Sequence, residues 1–171
     1  MITSEMVKHI QGTLNGLTKG KNTNFGQDLD AGASAPDGGI LVVLTDGANV
    51  DSLSNSAGKK VLASSTVLGK DIDIFTVEDK TINVINIPYS ESISVEKGNA
   101  TGFAIVKVTA ANLISKDIVG SNENADTRKK YIINKDTLEG CSVLFSGSIS
   151  GTQTIEENNS FSLSNIKITF N

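Results

Sequence analysis

One histidine, His9, and one cysteine, Cys141, set the limit on nucleophilic chemistry in this chain. A thiolate or alkoxide nucleophile needs a base within hydrogen-bond reach, and a tetrahedral zinc site needs several nitrogen or sulfur donors. His9 sits in a helical pattern near the front, where it reads as a solvent-facing residue. Cys141 opens the apolar run Cys-Ser-Val-Leu-Phe with no His or Lys beside it to lower its pKa, so it reads as a buried, inert thiol. As the sole cysteine it also rules out a disulfide within the chain. Asp28/Asp30 and Asp71/Asp73 each put two carboxylates on one side of an extended segment, the oxygen donors that Ca²⁺ takes. Neither pair continues into the rest of an ion-binding loop, and solvated strands carry such pairs routinely. A sugar platform is poorly supplied, since Trp is absent and only Tyr89 and Tyr131 are present as tyrosines. Tyr89 follows Pro88 at a strand end, where turn packing is its ordinary role. The glycine-rich segments lack the Walker lysine and do not open a helix after a strand. These residues predict no enzyme, no catalytic set, no metal and no cofactor.

Composition narrows the partners. Lys and Arg total 15 against 19 Asp and Glu, a net charge of −4, so no basic surface offsets nucleic-acid phosphates. No stretch approaches the ~20 apolar residues of a membrane-spanning helix. Lys8 and His9 interrupt the front of the chain, which does not read as a secretory signal, and the expectation is folding in a cytoplasm. With 38% hydrophobic residues the chain suits a globular domain, and six Phe with no Trp make its core aliphatic.

The elements that would position any site are unevenly distributed. Met6, Val7, Ile10 and Leu14 recur at helical spacing and Leu17 extends the stripe, with Thr3 or Ser4 as a cap and Glu5 at the positive end of the dipole. Gly16 and Gly20 are stop signals, and Gly12 weakens the helix by about 1 kcal/mol relative to alanine. A helix this short is marginal alone and must dock. Packing on its own domain is one outcome, and docking on another protein or on copies of itself is the other. Residues 18–39 are polar and Gly-rich, with Phe25 and Leu29 as the only anchors; fully extended they would span on the order of 70 Å. The run Ile40-Leu41-Val42-Val43-Leu44 is apolar throughout, which predicts a strand covered on both faces.

Further strands are expected at 60–64, 71–77, 81–87, 92–95, 102–109, 130–133, 142–149 and 160–170, separated by Gly, Asn, Asp and Ser. The apolar phase changes midway in three of them, at Ile82/Val84 to Ile85/Ile87, Phe103/Ile105 to Val106/Val108, and Phe161/Leu163 to Ile166/Ile168/Phe170. Such a change predicts a bulge or a strand passing between sheets. Residues 110–115 suit one helical turn. The fold class is therefore mainly β: an antiparallel β-sandwich or jelly-roll-like domain over 40–171, preceded by an N-terminal amphipathic helix over 1–17 and an extended arm over 18–39.

This layout resembles that of small virion structural proteins of tailed bacteriophages, namely head decoration proteins and tail-associated attachment proteins. The resemblance rests on the short front helix, the arm 18–39, a Ser/Asn/Thr/Gly-rich β-domain without disulfides, and a terminal strand over 165–170. It implies a non-enzymatic protein of the virion, assembled in the host cytoplasm, that binds the particle through its helix and arm and associates with copies of itself, a homotrimer by analogy. Met6, Val7, Ile10, Leu14, Leu17, Phe25 and Leu29 are the residues expected at that interface. On this view, removing residues 1–39 leaves a folded β-domain that no longer assembles. The alternative is a cell-surface adhesin or a carbohydrate-binding β-sandwich module.

Overall fold

A computed structural model describes residues 3–18, 37–65, 75–84, 92–118, 128–157 and 166–169. The fold is mainly β, and among the described residues it has three antiparallel sheets and one N-terminal helix. Helix α1 spans Ser4–Thr18. The strands are β1 (Gly38–Thr45), β2 (Val61–Ser65), β3 (Phe75–Glu78), β4 (Thr81–Val84), β5 (Ser92–Ser94), β6 (Gly98–Thr109), β7 (Leu113–Ile118), β8 (Arg128–Ile133), β9 (Ser142–Ile155) and β10 (Lys167–Thr169).

The central sheet has the order β5-β2-β1-β6-β9, a second sheet the order β10-β4-β3, and β7 pairs with β8. The connectivity explains the layering. After β2 the chain leaves the central sheet to make the β3–β4 hairpin, then returns as β5 beside β2. After β6 it leaves again to make the β7–β8 hairpin, then returns as β9 beside β6. Each excursion covers one face of the sheet.

On the first face, Ile40, Val42 and Ile105 pack with Phe75 and Ile82 of the β3–β4 hairpin and with Val7 and Leu14 of α1. Phe75 meets Phe145 of β9 with ring centroids 6.4 Å apart and a tilt of 52°, a favoured aromatic arrangement. On the second face, Leu41, Val43, Ala104, Val106 and Val108 pack with Ile133, against which Leu113 and Tyr131 also rest. The two-sided burial expected of β1 is thus observed: every residue from Ile40 to Thr45 is buried.

β6 explains one of the phase changes. Its pairing with β1 runs without a shift from Gly38↔Thr109 to Thr45↔Gly102. Phe103 and Ile105 pack on the first face while Ala104, Val106 and Val108 pack on the second, so the strand is apolar on both sides rather than broken. The irregularity lies in its other neighbour. Ile105 pairs with Phe145 and Val106 with Val143, which leaves Leu144 of β9 as the extra residue of a bulge.

The sequence expectations map closely elsewhere. The strand expected at 142–149 continues to Ile155, and the helical turn expected over 110–115 is a 3₁₀ turn at Ala110–Asn112 followed at once by β7, a strand that was not anticipated. The expected segments 71–74, 85–87 and 160–165 lie outside the described residues.

Candidate functional site

The front helix is the first candidate. Thr3 caps it, its Oγ1 accepting from the N–H of Met6 at 3.3 Å. The apolar stripe it carries faces its own domain: Val7 is 0% and Leu14 7% exposed, both in the first-face core. Two polar residues on the flank of that stripe fix the docking. Asn15 Nδ2 donates to the carbonyl of Phe75 at 3.0 Å, and its Oδ1 accepts from the N–H of Phe75 at 3.1 Å. Gln11 Nε2 donates to the same carbonyl at 2.7 Å. The side-chain amide of Asn15 thereby pairs with both polar groups of one β3 residue as a neighbouring strand would.

This corrects part of the predicted partner interface. Val7 and Leu14 are spent on the chain's own core and are not presented to a partner. Ile10 is half-buried and packs on the same core, while Met6 remains 53% exposed. The side chain of Leu17, and Phe25 and Leu29 altogether, lie outside the described residues. The helix therefore shares a core with the β-domain, and the physical reason is simple. The β3–β4 hairpin and the first face of the central sheet leave an apolar area that needs a cover.

The chemistry-bearing residues are kept apart. His9 is exposed on α1, which lies on the first face, whereas Cys141 packs against the second-face core. The central sheet stands between them, so no thiol–imidazole pair forms. Burial alone pushes the Cys141 thiol up to about 11, the wrong direction for a nucleophile. Tyr131 is half-buried against the second core, its ring engaged in packing. Asp28, Asp30, Asp71, Asp73 and Tyr89 lie outside the described residues. Among the described residues no group of three His, Cys, Asp or Glu side chains is placed to hold a metal ion. Nor, among the described residues, is any helix long and apolar enough to cross a membrane.

Polar side chains in the interior bind backbone instead. Asn112 is fully buried: its Oδ1 accepts from the N–H and hydroxyl of Thr109, both at 2.9 Å, and its Nδ2 donates to the carbonyls of Thr137 and Glu139, both at 2.7 Å. All four hydrogen-bonding positions of the amide are filled. Asp46 accepts from the N–H groups of Gly58 at 2.9 Å and Lys60 at 2.7 Å, closing the loop between β1 and β2. Ser65, also buried, accepts from the N–H of Val42 at 2.9 Å. The charged cluster on the surface is compact: Glu96 takes Lys60 on one oxygen and Lys135 on the other, each at 3.1 Å. Those two ammonium groups, Lys135 first, hold its carboxyl below the ordinary value of 4.5.

Sequence reasoning missed Gln11, Asn15, Asp46 and Asn112. Only the first two left a trace. They sit four residues apart, beside Val7 and Leu14, where a strictly solvated helix face would not begin.

The remaining surface with an unusual make-up is an edge. β9 closes one side of the central sheet and, among the described residues, pairs only with β6. From Ser142 to Ile155 it contains no charged residue and no proline. Ser148, Ser150 and Thr152 are exposed, and the strand is deflected between Ser148 and Gln153, where Gly151 adopts φ 80°. The opposite edge, β5, is three residues long. Comparison of the chain with protein-family models, with curated proteins and with solved structures finds no match.

Proposed function

We propose that this chain is a non-enzymatic structural protein of a bacteriophage virion, a head decoration or tail-associated protein that works in repeated copies on the assembled particle. One observation carries the reading. The buried polar side chains Asn15, Asn112 and Ser65, and the half-buried Asp46, all bond to backbone groups, so they act as scaffold. A domain that uses its polar groups in this way suits mechanical persistence better than turnover.

The mode of attachment differs from the one the sequence suggested. Because Val7 and Leu14 lie in the chain's own core, the contribution of α1 to a partner falls to its outer side, where Met6 is exposed. Repetition supplies the strength, since each weak contact becomes effectively intramolecular once its neighbours are made.

The test is co-purification. Virions banded by density from the source lysate should contain the chain in many copies per particle, measured by quantitative mass spectrometry. Recovery of the chain only in the soluble fraction, with none in the banded particles, would rule the reading out. Met6→Asp should lower the particle-bound amount while leaving the fold intact.

A further inference from the structure

We propose that Asn15–Gly16 is a modification site: docking of α1 holds its deamidation in check, and deamidation, once it happens, releases the helix irreversibly. The inference stands apart from the virion reading above and holds whatever the chain attaches to.

Asn-Gly is the pair most prone to this chemistry, because a glycine puts no side chain in the way of its own backbone nitrogen. The pair occurs once in the 171 residues, at Asn15–Gly16. The Gly16 nitrogen, giving up its proton to hydroxide, attacks Cγ of Asn15. An N–Cγ bond forms, the Cγ–Nδ2 bond breaks and ammonia leaves, which closes a succinimide ring. Water then opens the ring at either carbonyl, to aspartate or to isoaspartate. Nothing is oxidised or reduced.

The docked helix opposes that attack from both ends. Within α1 the N–H of Gly16 is turned toward the carbonyl four residues back. The side-chain amide of Asn15 is buried and committed to β3, Nδ2 donating to the carbonyl of Phe75 at 3.0 Å and Oδ1 accepting from its N–H at 3.1 Å. Ring closure therefore waits until the last turns of α1 leave the sheet, a local opening. Gly16 itself is exposed, so water is at hand when they do.

The product cannot remake the old contact. Aspartate keeps an acceptor for the N–H of Phe75 but sets a second acceptor against the carbonyl that Nδ2 had served. Isoaspartate also adds a methylene to the helix backbone. Release bares the Val7 and Leu14 stripe together with Ile40, Val42 and Phe75, which share its core. The fold does not demand the glycine that makes this possible, since a Cβ at Gly16 would meet nothing within 4 Å.

The experiment holds the full chain at pH 8, in native buffer and in urea, and follows Asn15 by peptide mapping with mass spectrometry. Conversion should be slower in the folded chain by about tenfold or more, because it waits on opening. Gln11→Ala removes one hydrogen bond onto the Phe75 carbonyl and should raise the native rate about fivefold. Gly16→Ala should slow conversion in urea and leave the fold unchanged. Converted chain, separated by anion exchange, should be cut by trypsin at Lys8 sooner than the parent. Its loss of hydrogen-exchange protection should be confined to residues 4–18 and β3, and Asn15→Asp should behave in the same way. Equal rates in native buffer and urea, or no acceleration by Gln11→Ala, overturn the guarding role of the docking. Converted chain that keeps α1 protected overturns the release, and so does protection lost equally from β1 and β6, since the whole domain then unfolds.

Discussion

Asn15 of the front helix pairs through its side-chain amide with both the N–H and the C=O of Phe75, sixty residues further along the chain. Phe75 is the first residue of β3, an outer strand of the three-stranded sheet, and its ring is fully buried in the core that Val7 and Leu14 also enter. One amide thus satisfies the buried N–H of Phe75 and shares its carbonyl with Gln11, and in doing so sets where the helix lies.

Asn15→Leu should therefore destabilise the protein despite adding apolar surface. It strands the N–H and leaves the carbonyl to Gln11 alone, a loss of about 1–3 kcal/mol per unsatisfied group. Urea unfolding should show a lower midpoint with an unchanged slope. Deleting residues 1–18 should go further and uncover Ile40, Val42 and Phe75, giving strong binding of a hydrophobic dye such as ANS. A truncated chain with native stability and no dye binding would contradict the docking described.

Gly102 lies where three backbone segments converge. A Cβ there would fall 2.8 Å from Cα of Ala48 and 2.9 Å from the carbonyl oxygen of Gly147, with the carbonyl of Gly47 closer still. All of these are backbone atoms that no rotamer change can move. Gly102→Ala should cost about 1–3 kcal/mol by overpacking, read as a fall in melting temperature. Gly12→Ala serves as the contrast. That position has nothing within 4 Å, and the substitution should stabilise the helix by about 1 kcal/mol.

Glu96 gives the pH dependence its direction. Lys135 and Lys60 lower its folded pKa below 4.5, so the stability they add is fully present above that value and is lost as pH falls through the folded pKa. Glu96→Gln should lower the denaturation midpoint at neutral pH only modestly, because the group is partly solvated. The difference between parent and variant should vanish in acid. A variant that differs from the parent equally at pH 3 and pH 7 would point to packing instead of charge.

Cys141 should be slow to react. With its thiol pushed up to about 11 by burial, the thiolate is scarce at pH 8. Labelling by a disulfide reagent such as DTNB should proceed far more slowly in the folded chain than in urea, and the folded-state rate should climb with pH beyond 8. Fast labelling of the native protein would show that the second-face core opens readily.

How much of this was legible in the sequence follows from what each signal encodes. Ile40–Leu44 announced two-sided burial because a run without a polar residue has no solvent face. The helix stripe was equally legible, but a stripe of Val7 and Leu14 states only that a cover exists and does not say whose surface it covers. The phase change in β6 marked a real irregularity and misplaced it. Apolar residues on both faces of one strand imitate a bulge, while the bulge itself was carried by Leu144 on the neighbour. β7 was invisible because Leu-Ile-Ser-Lys-Asp-Ile neither alternates nor runs apolar. Asn112 and Asp46 were invisible for a different reason: an amide or carboxylate that holds backbone groups has the same letter as one that meets only solvent.

The core shared by Val7, Leu14, Phe75, Ile82 and Ile105 has a consequence for synthesis. The helix leaves the ribosome before the strands it packs on, and its cover is not complete until Ile105 has followed. At roughly 5–20 residues per second the stretch from Leu14 to Ile105 takes about 5–20 s to translate. Through that interval the nascent chain carries a naked greasy stripe. A cell making many copies at once must keep those stripes from finding one another before the rest of the polypeptide arrives.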